Sequence, residues 1–91
     1  NDLMAGGCYD WADESGIKIP QEISVAGYDN RELSSYYKPP LSTTELPLHD
    51  IGYRAAEVMI SLVEKKPGET AEPQVYKVPC KQLIRQSIKT L

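Results

Sequence analysis

One stretch of this 91-residue chain constrains its fold more than any other. It is Ile23-Ser24-Val25-Ala26-Gly27-Tyr28, a largely apolar run that ends at once in the carboxylate of Asp29. A strand without the usual polar alternation belongs in the middle of a parallel sheet covered on both faces. Open α/β sheets meet their ligands just beyond the carboxyl ends of such strands. The run therefore predicts a buried strand, and it places Asp29 where a small polar molecule would be met.

The flanking sequence alternates in the same spirit. Asp2 is expected to cap a helix running to about Ser15, with Leu3, Met4, Cys8, Trp11 and Ala12 on one apolar face. Gly16 is a natural left-handed stop, Ile17 can fold back on the helix, and Ile19-Pro20-Gln21 prevents its continuation. Beyond Asp29, a polar loop from Asn30 to Lys38 ends in Pro39-Pro40, which favours an extended backbone. Leu41 to Glu45 reads as a second short strand. A helix begins near Leu48, its stripe formed by Leu48, Ile51, Gly52, Ala55, Ala56, Met59, Leu62 and Val63, and Pro67-Gly68 terminates it. Gln74 to Val78 reads as an edge strand ended by Pro79, and Gln82 to Ile88 as a last strand. The order gives an α/β class. Since only one strand looks central, the segment is expected to be the tail of a larger α/β protein.

Composition narrows the function. The net charge is −3 and the basic residues are scattered, with Lys65-Lys66 the one adjacent pair. Nucleic-acid binders carry a basic patch or stripe, so any DNA contact is expected from another part of the protein. Cys8 and Cys80 lack a metal-ligand spacing and are expected to be reduced, partly buried thiols. The single histidine, His49, has no suitably spaced partner for a metal or for acid–base work, and Gly6-Gly7 lacks the strand-then-helix setting of a phosphate loop. No catalytic residue, metal or cofactor is expected, and the chain is not read as an enzyme. No apolar run approaches the roughly 18 residues of a membrane span. The chain opens with Asn1, without a signal-peptide pattern.

Several short motifs stand in a familiar order. Asn1-Asp2-Leu3-Met4-Ala5 opens the first helix, and Gly16-Ile17-Lys18-Ile19-Pro20-Gln21-Glu22 leads into Ile23-Ser24-Val25-Ala26-Gly27-Tyr28-Asp29-Asn30. Pro39-Pro40-Leu41-Ser42-Thr43-Thr44, Gly52-Tyr53-Arg54-Ala55-Ala56 and Leu83-Ile84-Arg85-Gln86-Ser87 follow. Together they resemble the C-terminal part of the effector-binding domain of LacI/GalR-family bacterial transcription regulators, over essentially the whole chain. The resemblance implies a type I periplasmic-binding-protein-like fold, two α/β subdomains with parallel sheets and effector in the cleft between them. Residues 1–43 would belong to the C-terminal subdomain, 44–81 to a crossover, helix and strand of the N-terminal subdomain, and 82–91 to the return segment. It further implies a cytoplasmic homodimer that binds operator DNA through a headpiece absent from this chain. A periplasmic sugar-binding protein of a transporter shares the same core and is the alternative.

The resemblance also singles out residues. Asp29 would accept hydrogen bonds from a small effector, a sugar or a nucleobase-like molecule; an ionised carboxylate, acceptor on both oxygens, suits adjacent hydroxyl donors. The plainer reading is a turn or helix cap. Asn1 would reach the ligand from the start of the first helix, its amide offering both donor and acceptor, or would simply start that helix. Tyr37 and Tyr36, with Gly6, Gly7 and Asp10 on the facing helix, would build part of a dimer interface, where tyrosine buries large area while its hydroxyl stays paired. The other reading of these tyrosines is packing within their own subdomain. Trp11 is expected in the core or an interface, and Tyr28 is expected to be packed, with exposure to the cleft as the other reading.

Overall fold

A computed structural model describes residues 1–70 and 72–90 of the chain. It divides into two compact units, one formed by residues 1–46 together with the segment from Cys80 onward, the other by Pro47–Pro79. The expected α/β class takes the form of helices with a small two-stranded sheet.

In the first unit, α1 spans Asp2–Glu14. Its N-cap is Asn1, not Asp2: the Asn1 side-chain oxygen accepts from the Met4 N–H at 3.0 Å. Gly16, with φ of +69°, provides the left-handed stop, and the Ile17 N–H returns to the Ala12 carbonyl at 2.8 Å. The face that α1 buries differs from the expected one. Asp2, Ala5 and Ala12 are buried and Tyr9 is half-buried, whereas Leu3, Met4, Cys8 and Trp11 are exposed. Close approach of the neighbouring chain explains the choice. A Cβ on Gly27 would collide with the Asp2 carboxylate and stand 2.8 Å from Leu41 Cδ2, and a Cβ on Gly6 would stand 2.7 Å from the Tyr37 hydroxyl. Small residues and one short acid fill the tightest places, while Tyr9 packs against the core and stacks on Tyr37.

The run from Ile23 is extended but pairs sparingly. Isolated parallel bridges join Ala26 to Ser42 and Asp29 to Glu45, and N–H groups of Gly27 and Asp29 donate to the carbonyls of Ser42 and Thr44 at 2.8 and 2.9 Å. The expected central strand is thus a pair of bridges, and only Val25 within it is buried; Ile23 and Tyr28 are exposed. A strand is buried on both faces only where layers cover both, and here α1 covers one. Val25 packs with Ala5 and Leu41, flanked by Tyr9, Ile19 and Tyr37.

After a 3-10 helix at Glu32–Ser35, strand β1 (Thr43–Glu45) pairs antiparallel with β2 (Lys81–Leu83), Thr43 opposite Leu83 and Glu45 opposite Lys81. The last strand is therefore shorter than the expected Gln82 to Ile88. Beyond it, side chains replace the ladder. The Ser87 hydroxyl donates to the Val25 carbonyl at 2.6 Å and accepts from the Ser42 N–H at 2.8 Å, and all three residues are buried. Arg85 donates through its guanidinium to Ser34 Oγ at 2.8 Å, the Leu41 carbonyl at 2.9 Å and Asn30 Oδ1 at 3.1 Å. The Leu83-to-Ser87 motif thus clips three separated segments together.

The second unit contains α2, Leu48–Val63, ended at Glu64. Its apolar stripe (Ile51, Ala55, Val58, Met59, Leu62) lines a groove of about 450 Å³ with Tyr76 and Val78 and has no fully buried residue. The segment Gln74 to Val78 is not a strand, contrary to the expected edge strand. Arg54 instead lies 4.8 Å from the Tyr76 ring centre, a cation–π contact.

Ser87→Ala would leave the buried Ser42 N–H and Val25 carbonyl without their hydroxyl partner. A loss of about 1–3 kcal/mol is expected, read as a lower denaturation midpoint of the intact protein. An unchanged midpoint would show that the clip is dispensable.

Candidate functional site

The end of the extended segment is where the polar chemistry collects. Asp29 and Asn30 are consecutive non-glycine residues with positive φ, 120° and 55°. Asparagine tolerates the left-handed region through its short polar side chain. Asp29 sits further out, in a sparsely populated region whose occupation costs about 1–3 kcal/mol and persists only where surroundings dictate it. Three successive N–H groups supply that constraint. Asp29 donates to the Thr44 carbonyl at 2.9 Å, Asn30 to Thr43 Oγ1 at 3.3 Å, and Arg31 to Asp2 Oδ2 at 2.7 Å. The Asp29 carboxylate is left partly exposed, with Arg31 Nε at 3.5 Å as its charged neighbour.

Asn1 comes to the same end of the unit. The Asp2 N–H donates to the Tyr28 carbonyl at 3.2 Å, so the residue after Asn1 is joined to the residue before Asp29. The Asn1 amide oxygen is engaged in capping α1, while the residue as a whole is exposed. Tyr28 is exposed rather than packed. A hydrogen bond with the Cys80 side chain, reinforced by charge on Cys80 and on Asp29, holds its phenol above the ordinary tyrosine value. Cys80 and Cys8 are both exposed thiols, not the partly buried ones expected.

The tyrosine loop is divided in its behaviour. Tyr36 is 72% exposed. Tyr37 is half-buried inside its own unit: its ring stacks on Tyr9 at 4.8 Å between centres, and its hydroxyl donates to the Asp2 carbonyl at 2.9 Å. Gly6 lies directly beneath that hydroxyl, and Asp10 and Gly7 are exposed on α1. Tyr37, Gly6 and Tyr9 are thus brought together, while Tyr36 stands outside the cluster.

Sequence reasoning took Asp2 for the helix cap, with ligand contact as the other reading, and missed its remote partners. Its side chain is fully buried; Oδ1 accepts from the Thr43 hydroxyl at 2.7 Å and Oδ2 from the Arg31 N–H. An acid in a helix first turn reads locally as a cap, and nothing in the spacing announces partners 29 and 41 residues away. The steric demand at Gly27 was the available signal.

Elsewhere the chemistry is sparse. Among the described residues, no three His, Cys, Asp or Glu side chains are grouped to hold a metal, and no helix is long and apolar enough to cross a membrane. His49 lies on the exposed start of α2, 3.5 Å from Asp50. A depression of about 710 Å³ on the second unit, lined by residues including Tyr53, Glu57 and Lys65, contains none of the residues expected to meet a ligand.

Comparison with known proteins adds an independent line. Residues 1–88 match the periplasmic binding protein-like domain family. The chain is 38% identical over 91 residues to the HTH-type transcriptional repressor PurR of Vibrio atlanticus, covering all of this chain and 26% of that protein. A LacI family transcriptional regulator from Enterococcus faecalis, solved with bound ribose, is 33% identical with a TM-score of 0.75 over 97% of this chain and 32% of its own. A putative LacI transcriptional regulator from Bacillus cereus is 30% identical with a TM-score of 0.78, over 98% of this chain and 30% of its own. The chain therefore spans between a quarter and a third of these proteins.

The stacked tyrosines make a pH-dependent contribution. Burial pushes both phenols above their ordinary value of 10.0, partly offset at Tyr9 by the Ser87 hydroxyl and reinforced at Tyr37 by the charges of Asp2 and Asp10. A raised folded-state value means that folding favours the neutral phenol. Its stabilisation is complete below the unfolded value and is lost as pH rises through the folded one. The denaturation midpoint of the intact protein should fall as pH rises above about 10, and Tyr37→Phe should flatten that fall. An identical alkaline profile in the variant would contradict the assignment.

Proposed function

This chain belongs to the periplasmic binding protein-like family and carries part of a LacI-type effector-binding domain, and from that premise we propose that Asp29 is an effector acceptor in a metabolite-responsive transcriptional repressor. One observation carries the reading: a partly exposed carboxylate is held on a strained backbone just past the end of an extended segment, where α/β folds meet small polar ligands. Strain of this kind is kept where it serves a site. Asn1, on the adjoining helix start, is the second ligand contact, reaching the effector through the amide nitrogen that capping leaves available. The ligand class is a sugar or a nucleobase-like molecule; the ribose bound to the Enterococcus neighbour supports the sugar.

Regulation follows from differential affinity. An effector shifts a two-state equilibrium only by as much as it prefers one state, and the repressor would report that shift as a change in operator binding by a headpiece outside this chain. Residues 1–43 and 82–91 are assigned to the C-terminal subdomain and 44–81 to the crossover, helix and strand of the N-terminal subdomain. The division of the chain near Pro47 and Pro79 supports that assignment in outline. The dimer surface is assigned to Tyr36, Asp10 and the outer edges of Tyr37 and Gly6. Here Tyr36 supplies exposed area while Tyr37 is fixed by its own unit. A protein of this kind works in the cytoplasm, performs no catalysis and needs no cofactor. The repressor relatives weigh against the transporter-component alternative.

Asp29→Asn should weaken binding of D-ribose, or of whichever pentose or nucleobase the intact protein binds best, by ten-fold or more. Charge-assisted hydrogen bonds contribute roughly 1.5–3 kcal/mol, and about 1.4 kcal/mol is a decade. Operator binding without effector should be largely unchanged. Wild-type affinity by calorimetry would remove Asp29 from the site.

A further inference from the structure

We infer that Asp2 is a positioning residue, the group that locks the Asp29–Arg31 turn to the crossover strand and so aims the Asp29 carboxylate. The inference rests on the reading of Asp29 as a ligand acceptor. Asp2 touches four segments. Its N–H donates to the Tyr28 carbonyl at 3.2 Å, and its carbonyl accepts from the Tyr37 hydroxyl at 2.9 Å. Its two carboxylate oxygens divide their work between Thr43 and the Arg31 N–H, each at 2.7 Å. Thr43 completes a loop of hydrogen bonds, since its hydroxyl oxygen also accepts from the Asn30 N–H at 3.3 Å. Two of the three N–H groups that hold the strained turn therefore end on Asp2 or on the threonine it orients. The third, from Asp29, ends on the carbonyl of Thr44, next along β1.

Geometry restricts this place to a short acid. The side chain has no solvent exposure, and Gly27 leaves no room beside it. Both incoming groups are donors, and a carboxylate accepts on both oxygens where an amide must present a donor on one side. Asp2 carries no share of the ligand contact itself. It acts through Asp29 and Asn30, and through β1 it makes the conformation of the turn depend on the crossover.

The test uses the intact protein with Asp2→Asn, Thr43→Val and Thr43→Ser. Amide hydrogen exchange is the first readout. Asp2→Asn and Thr43→Val should each speed exchange at Asn30 and Arg31 by ten-fold or more while leaving Ala5 and Val25 within two-fold, and Thr43→Ser, which keeps the hydroxyl, should restore most of the protection. Unchanged exchange at Asn30 and Arg31, or equal acceleration throughout the first unit, would overturn the positioning role. Calorimetry with D-ribose is the second readout. Loss of affinity of about ten-fold in Asp2→Asn and Thr43→Val, with recovery in Thr43→Ser, supports the role in binding. Full D-ribose affinity in a variant whose turn has loosened overturns it. If no variant, wild type included, responds to D-ribose, the effector reading is what suffers, and the exchange arm still decides whether Asp2 holds the turn.

Discussion

A carboxylate sealed at the start of a helix organises the first unit. Asp2 is fully buried, and the two donors that meet it come from a turn and a strand far along the chain. Removing a charged group's partners in such a place costs more than the bonds are worth in water, because the desolvated carboxylate has nowhere else to turn. The rest of the unit accommodates it. Gly27 gives up its side chain, Thr43 turns its hydroxyl inward, and the Tyr37 hydroxyl closes over the Asp2 carbonyl. The apolar cluster of Ala5, Val25 and Leu41 is small, so a well-satisfied polar network carries much of the specification of the fold here.

The Leu83-to-Ser87 motif plays the complementary part at the other end of the sequence. Ser87 joins Val25 to Ser42, and Arg85 joins Asn30, Ser34 and Leu41. These side chains do the work that a wider sheet would do with backbone pairs. One consequence is that the turn bearing Asp29 is constrained from two directions: Asp2 and Thr43 hold its backbone, and Arg85 holds the side chain of Asn30. A strained loop maintained in this way is preorganised, which lowers the ordering cost of meeting a ligand.

Much of this was legible in the sequence, and the failures have a common cause. The limits of α1, its Gly16 stop, the start of α2 and the position of Asp29 at the end of an extended run follow from periodicity and from backbone constraints that act over a few residues. The buried face of α1 did not. Large apolar residues such as Met4 and Trp11 attract the eye, whereas the helix buries Asp2, Ala5 and Ala12, and the chain comes close at Gly6 and Gly27. The stretches near Val25 and Val75 read as strands, yet a strand is defined by a partner, and local pattern does not supply one. Asp2 was hidden for the same reason. Its partners are remote, and up close an acid at a helix start looks like a cap. The family resemblance pointed to Asp29 and Tyr37 but said nothing of what holds them.

What remains to be measured is whether the turn at Asp29 belongs to a small-molecule site, as proposed. A thermal-shift screen of the intact protein against pentoses, hexoses and nucleobases tests it most directly, since a ligand at free concentration L that binds only the folded state stabilises it by RT ln(1 + L/Kd) and so raises Tm. A dose-dependent rise is expected with at least one sugar or nucleobase, abolished in Asp29→Asn. A flat response across the panel, or a rise that survives the substitution, would contradict the proposal.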